Sequence, residues 1–182
     1  VFASGGLNAY RYENGRTLWS DVLSRSTIST SVSSLSDIDA DPVIDQGRVY
    51  AVGQGGRMVA MDLTSGQRLW EQNIAGISTP WVAGEWIFVV TDNAQLLCLS
   101  RGSGRVRWMA QLRRWKKERQ EKGPVSWTGP VLAGGRLVLF NSLGEIAFAS
   151  PDDGSAAQTI DTDQELTLRP VVANNTLYAL DE

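Results

Sequence analysis

The sequence predicts an all-β protein built of propeller blades, each a four-stranded antiparallel sheet. Three observations carry the prediction. An eleven-residue motif recurs four times in register, and a proline-led pair of strands precedes three of the copies. The composition, 42% hydrophobic and 20% charged over 182 residues, is that of a globular chain, neither disordered nor fibrous.

The motif is clearest at residues 60–70, AMDLTSGQRLW, and returns at 9–19 (AYRYENGRTLW), 98–108 (CLSRGSGRVRW) and, worn, at 148–158 (FASPDDGSAAQ). Its seventh place holds Gly15, Gly66, Gly104 and Gly154, and its eleventh holds Trp19, Trp70 and Trp108. The proline-led elements begin at Pro42, Pro80, Pro130 and Pro170, stepping by 38, 50 and 40 residues. Apolar runs broken at Asp-Gln-Gly, Gly-Glu, Gly-Gly and Asn-Asn are strands joined by tight turns. The next stretch of each unit alternates as a third strand, Gly turns the corner, and a last strand ends in Trp. Four short strands in about 40 residues is the blade pattern. A β-sandwich with similar turn spacing would not require the same motif in register. The predicted units are residues 1–23, 42–75, 80–112, 130–160 and 170–182, with long connections at 24–41 and 109–129. They amount to about four blades, the first and last incomplete.

Composition also removes function classes. Seventeen Lys and Arg against 20 Asp and Glu leave a net charge of −3, a poor basis for nucleic-acid binding. With no histidine and a single cysteine, Cys98, the chain has no disulfide framework, no Cys/His zinc site and no His-dependent triad. No apolar run approaches the roughly 20 residues of a membrane helix. The scattered acids Asp45, Asp62, Asp92, Asp152, Asp153, Asp161 and Asp163 are assigned to turns, without calcium-loop or paired-carboxylate spacing. Cys98 takes the motif's Ala position and is expected to be a buried, inert thiol.

The form AMDLTSGQRLW resembles the repeat of the PQQ-like β-propellers. That resemblance implies that the turn glycine and terminal tryptophan lock neighbouring blades, so Gly15, Trp19, Gly66, Trp70, Gly104 and Trp108 are assigned a structural, blade-docking role. A large planar side chain fills the wedge between sheets, and its indole N–H can reach a backbone carbonyl. Leu35-Ser36-Asp37-Ile38-Asp39-Ala40-Asp41-Pro42-Val43, followed by GRVYAVGQGGRMVAMDLTSGQRLW, is similar to the BamB family of outer-membrane β-barrel assembly lipoproteins. The similarity runs nearly end to end and implies the C-terminal half of an eight-bladed ring.

The family resemblance implies a non-enzymatic scaffold that docks to the periplasmic domains of a BamA-like barrel-assembly protein and takes client strands at blade edges. It places the protein at the periplasmic face of the outer membrane, attached only through a lipid anchor N-terminal to this chain, and it implies no cofactor. Asp37 and Asp39 would carry the docking, with Leu35 and Ile38 beside them; capping of a turn is the other reading of the two acids. Asp41, directly before Pro42, fits turn chemistry. The alternatives are a PQQ-dependent dehydrogenase, whose vicinal Cys pair and calcium ligand set find no counterpart here, and a generic ligand-binding propeller.

Both long connections are unusual. Residues 24–36 hold seven Ser and two Thr and are expected to form a solvated loop beside the docking acids. Residues 113–122 carry six basic and two acidic side chains. Arg113, Arg114, Trp115, Lys116 and Lys117 are therefore a possible contact loop with an exposed Trp and a short helical turn. Such a loop suits a solvated face, an acidic partner or an anionic membrane surface; one Trp is no stacking platform for single-stranded nucleic acid.

Overall fold

Each strand-turn-strand of the repeat becomes one antiparallel step of a blade. The computed structural model describes residues 5–23, 40–53 and 56–180, in two compact units, Val1–Thr79 and Pro80–Glu182. The first unit contains the pair β1 (Gly6–Tyr10) and β2 (Thr17–Val22), then a blade of β3 (Val43–Asp45), β4 (Arg48–Gly53), β5 (Arg57–Asp62) and β6 (Arg68–Gln72) in sequential order. The second contains the blade β7 (Trp81–Ala83), β8 (Trp86–Val90), β9 (Gln95–Ser100) and β10 (Val106–Gln111). A hairpin of β11 (Trp115–Lys117) and β12 (Lys122–Pro124) follows. Next come the blade β13 (Trp127–Ala133), β14 (Arg136–Asn141), β15 (Glu145–Ala149) and β16 (Ala156–Asp161), and the pair β17 (Val171–Ala173) and β18 (Thr176–Tyr178). The chain is thus all-β, with three four-stranded antiparallel blades among the described residues, a two-stranded pair before and after them in sequence, and the β11–β12 hairpin between the second and third. No helix among the described residues is long and apolar enough to cross a membrane.

Local chemistry sets the turns. Gln46-Gly47, Gly134-Gly135 and Asn174-Asn175 all have positive φ at both positions, the two-residue turn whose twist matches antiparallel strands. The motif corner repeats its backbone bonds four times. In each copy the corner glycine N–H donates to the residue four places earlier: Gly15 to Arg11, Gly66 to Asp62, Gly104 to Ser100 and Gly154 to Ser150, at 2.8–2.9 Å.

The third strands do not alternate as the sequence pattern suggests. Met58, Val59, Ala60 and Met61 of β5 are all fully buried, as are Leu96, Cys98 and Leu99 of β9. An inner strand of a blade is covered on both faces, so its sequence reads as a continuous apolar run. The outer strands β6 and β10 keep the alternation instead.

Within each unit the repeat explains how adjacent sheets are joined. Leu7 and Leu23 pack with Val49, Ala51, Val59 and Met61, and Trp19 lies against this cluster. The Trp19 indole N–H donates to the Leu63 carbonyl at 2.8 Å, and its ring lies directly over Gly66, where an added Cβ would collide with ring atoms. In the second unit Trp108 Nε1 donates to the Pro151 carbonyl at 3.1 Å, and its ring covers Gly154. Both acceptors stand three residues before the motif glycine. Trp108 also borders a core in which Phe88, Leu96 and Cys98 meet Trp127, Leu137 and Leu139.

An ion pair reinforces the first joint. Arg68 grips Asp21 with two bonds, Nε to Oδ2 at 2.6 Å and Nη2 to Oδ1 at 2.7 Å. It also donates to the Val22 carbonyl (2.9 Å) and to Glu71 (2.8 Å). The Arg68 hydrogen bonds hold the Asp21 carboxyl below its ordinary value against the opposing effect of burial.

Two outcomes test this packing. Gly66→Ala combines backbone strain at φ 71° with a collision against Trp19 and should lower stability by about 2–4 kcal/mol. Gly47→Ala, equally strained at φ 74° but facing open space, should cost about 1–2 kcal/mol; equal losses in urea denaturation would refute the ring-on-glycine lock. For Arg68→Gln, the sign follows from Asp21's depressed folded pKa. The pair's contribution is present above the unfolded carboxylate value of about 3.9 and is lost as pH falls through the lower folded value. The gap in denaturation midpoint between the two proteins should be full at pH 6 and shrink below about pH 4.

Candidate interaction surface

The basic stretch after β10 is a braced hairpin. Gln111 Nε2 fixes the exit from the blade by donating to the carbonyls of Asn93, Ala94 and Leu112 at 2.8–3.1 Å. Arg113 then turns back onto its own hairpin and onto the next blade. Its Nη1 donates to Glu145 Oε1 at 2.7 Å, while Nε and Nη2 donate to the carbonyls of Trp115 (3.2 Å) and Lys116 (3.1 Å). The Arg113 carbonyl accepts the Trp127 indole N–H at 2.7 Å. Behind it, the other Glu145 oxygen accepts from Asn141 Nδ2 at 2.7 Å. Asn141 is fully buried, and its Oδ1 accepts the N–H groups of Leu143 and Glu145 at 3.0 Å. Arg113, Glu145 and Asn141 therefore form one satisfied polar chain, and such a chain rigidifies what it holds.

Beyond this brace, β11 and β12 pair in the register Trp115↔Pro124 and Lys117↔Lys122. The tip is a 3-10 turn, Glu118–Gln120, closed by Glu121 at φ 49°. Trp115 is half-buried rather than exposed, and the Arg114 guanidinium lies 5.3 Å from its ring centre. Arg114 Nη2 also donates to Asn93 Oδ1 at 3.3 Å. Of the five contact residues read from the sequence, Arg113, Arg114 and Trp115 thus help hold the hairpin, while Lys116 and Lys117 are exposed. The outward cations continue with Arg119 and Lys122, which the sequence reading did not single out. Two hollows flank the hairpin. One, of about 510 Å³, is lined by Arg113, Lys116, Lys117, Glu118, Arg119 and Gln120. The other, of about 420 Å³, sets Lys116 and Arg113 against Glu145, Asp161, Asp163 and Glu165.

Leu35, Asp37, Ile38 and Asp39 lie outside the described residues. At the near end of that segment, the Asp41 N–H donates to Thr79 Oγ1 at 3.1 Å. Among the motif residues, Trp19 meets Gly66 and Trp108 meets Gly154. Trp70 tilts against Tyr50 with ring centres 6.1 Å apart, as Trp108 does against Phe88 at 6.0 Å. Gly15 and Gly104 keep the corner geometry, at φ 67° and 69°.

Three other reactive side chains are tied into the fold. Cys98 is fully buried opposite Trp108, and burial pushes its thiol up to about 11. Asp62 caps its own corner, accepting from the N–H groups of Ser65 (2.8 Å) and Thr64 (3.1 Å), and the Ser65 N–H above all holds its carboxyl below the ordinary value. Asp153 does the same with Ser155. Among the described residues no three His, Cys, Asp or Glu side chains converge to hold a metal ion.

Residues 1–110 match the family model described as "Outer membrane protein assembly factor BamB". The chain is 32% identical over 176 residues to the outer membrane protein assembly factor BamB of Salmonella typhimurium, covering 96% of this chain and 42% of that protein. The chain therefore spans less than half the length of the curated relatives it matches. Among solved structures, BamB from Moraxella catarrhalis superposes with a TM-score of 0.79 at 19% identity, over 98% of this chain and 49% of that one. The quinohemoprotein alcohol dehydrogenase of Comamonas testosteroni superposes less closely, with a TM-score of 0.56 at 17% identity over 69% of this chain and 21% of that one. Both structural likenesses are likenesses of fold.

The brace makes its own prediction. Glu145→Gln keeps the shape of the side chain but removes the charge facing Arg113. It should cost about 1–3 kcal/mol and free the hairpin, so that trypsin cuts after Lys116, Lys117 or Arg119 faster than in the parent protein. Unchanged cleavage would show that the hairpin is held by something else.

Proposed function

Because the chain belongs to the BamB family, we propose that it forms part of the propeller of a non-enzymatic accessory subunit of the outer-membrane β-barrel assembly machinery. The observation that carries this reading is the family match over residues 1–110, which takes in the segment with Asp37 and Asp39. In this reading those two carboxylates, with Leu35 and Ile38 beside them, dock the propeller onto the periplasmic domains of a BamA-like protein. The protein works at the periplasmic face of the outer membrane, held there by a lipid anchor N-terminal to the residues described. Extended client segments pair with the open edges of the outer strands β6, β10 and β16, where free backbone N–H and C=O groups can accept an added strand. The chemistry of the chain fits such a role. Asp62 and Asp153 cap their own corners, Asp21 pairs with Arg68, and the one thiol is buried.

The test is binding of the full-length protein to BamA periplasmic domains. Changing Asp37 and Asp39 together to Ala should weaken the complex at least about tenfold, the scale expected when an interfacial charge loses its partner, with the thermal unfolding midpoint unchanged. Unchanged affinity in that double variant would overturn the docking assignment.

A further inference from the structure

The hairpin β11–β12 contains a contradiction that points outward. Lys117 and Lys122 stand directly opposite each other on the two strands, and like charges at such a cross-strand position are destabilising. Lys116 and Arg119 add two more outward cations, and none of the four makes an ion pair among the described residues. The conflict cannot be relieved by collapse of the hairpin, because the Arg113–Glu145–Asn141 chain and the Trp127 bond to the Arg113 carbonyl brace its base. A rigid support that holds unpaired like charges together is a feature to be read as functional, since stability alone would remove it.

We propose that this hairpin is a docking site for an acidic peptide segment of a protein partner, with a carboxylate seated between Lys117 and Lys122. Alternation along the two strands places Trp115 and Pro124 on the same face as the lysine pair. An apolar residue near the carboxylate in the partner would rest on that base. A locally acidic peptide fits better than an anionic membrane for two reasons. The chain carries a net charge of −3 although residues 113–122 alone carry +4, so the hairpin concentrates positive charge on an otherwise net-acidic chain. Beside it, Asp161, Asp163 and Glu165 line the adjoining hollow and would face the same negative plane. The assignment goes beyond the docking proposed for Asp37 and Asp39, and its partner chemistry is opposite, because there the chain supplies the carboxylates.

The experiment measures fluorescence anisotropy of a labelled peptide bearing glutamates and leucines, titrated with full-length protein at low salt. Its glutamine counterpart and vesicles containing phosphatidylglycerol serve as parallel probes. Lys122→Glu is the informative variant, because it turns the repelling pair into an attracting one and so holds the hairpin at least as well. The glutamate peptide should bind the parent protein, bind K122E at least about tenfold more weakly, and lose affinity with added salt. The glutamine peptide should not bind. A second variant, with Arg11, Arg16, Arg105 and Arg136 changed to Gln, removes exposed cations elsewhere and should bind nearly as the parent does. Equal affinity of the parent and K122E, an equal loss in the control variant, or binding to the vesicles without binding to the peptide would each overturn the proposal. Binding of BamA periplasmic domains by K122E is expected to be unchanged, so failure here is distinguishable from failure of the assembly role.

Discussion

The joint between a terminal tryptophan and the corner of the next sheet is the contact on which the rest of the architecture depends. A four-stranded antiparallel sheet has two faces to cover and two edges to leave open, and alone it has no reason to recruit another. The indole supplies one. It buries a large plane in the wedge and satisfies a corner carbonyl with its N–H, as Trp19 does with Leu63 and Trp108 with Pro151. The corner must then offer a flat landing. Gly66 and Gly154 are tied to that requirement twice, by positive φ and by a ring where a Cβ would stand.

The same demand reaches back into the sheet. Strand four reaches its tryptophan through a bulge that leaves Leu18, Leu69, Arg107 and Ala157 unpaired in the four copies. Past the bulge, the tryptophan sits opposite a small residue: Ala9 opposite Trp19, Ala60 opposite Trp70, Cys98 opposite Trp108. In the worn fourth copy the arrangement inverts. Gln158 stands where tryptophan would be, and Phe148 occupies the small-residue place across from it. The bulk has moved one strand over, so the fourth copy is a compensated variant of the motif. It also explains why the lone cysteine lies where it does: the site asks for a small apolar group under an indole, and a thiol serves.

What could be read from the sequence was whatever each repeat specifies within itself. The corner glycine, the capping acid at Asp62 and the turn pairs such as Asn174-Asn175 are short-range chemistry, and recurrence in register makes them visible. The alternation read into the third strands failed for a physical reason, since coverage on both faces turns Met58 to Met61 into a continuous apolar run. The bonds that brace the surface were not legible. Arg68 finds Asp21 across 47 residues and Arg113 finds Glu145 across 32, and neither pair belongs to the repeat. Strands β11 and β12 also escape a propensity argument. They are three residues each, rich in lysine and closed by Gly123-Pro124, and tertiary bonds at the base hold them together.

A repeat fold makes a particular demand on any account of function. Blades that share corner bonds, bulge and ring contacts cannot by themselves distinguish one partner from another, and the same scaffold supports an alcohol dehydrogenase elsewhere. Selectivity has to enter where the repeat is interrupted. In this chain the interruptions are the segment with Asp37 and Asp39 and the braced hairpin after β10, and their charges are opposite in sign. The hairpin divides labour among its cations. Arg113 is consumed by Glu145 and two carbonyls, and its desolvation is matched by those bonds. Lys117 and Lys122 stand opposite each other in the strand register, and neither makes an ion pair among the described residues. A structure that spends its best-positioned cation on rigidity and keeps its others unpaired is arranged to present charge, and a carboxylate from outside the chain completes the pairing that the fold withholds.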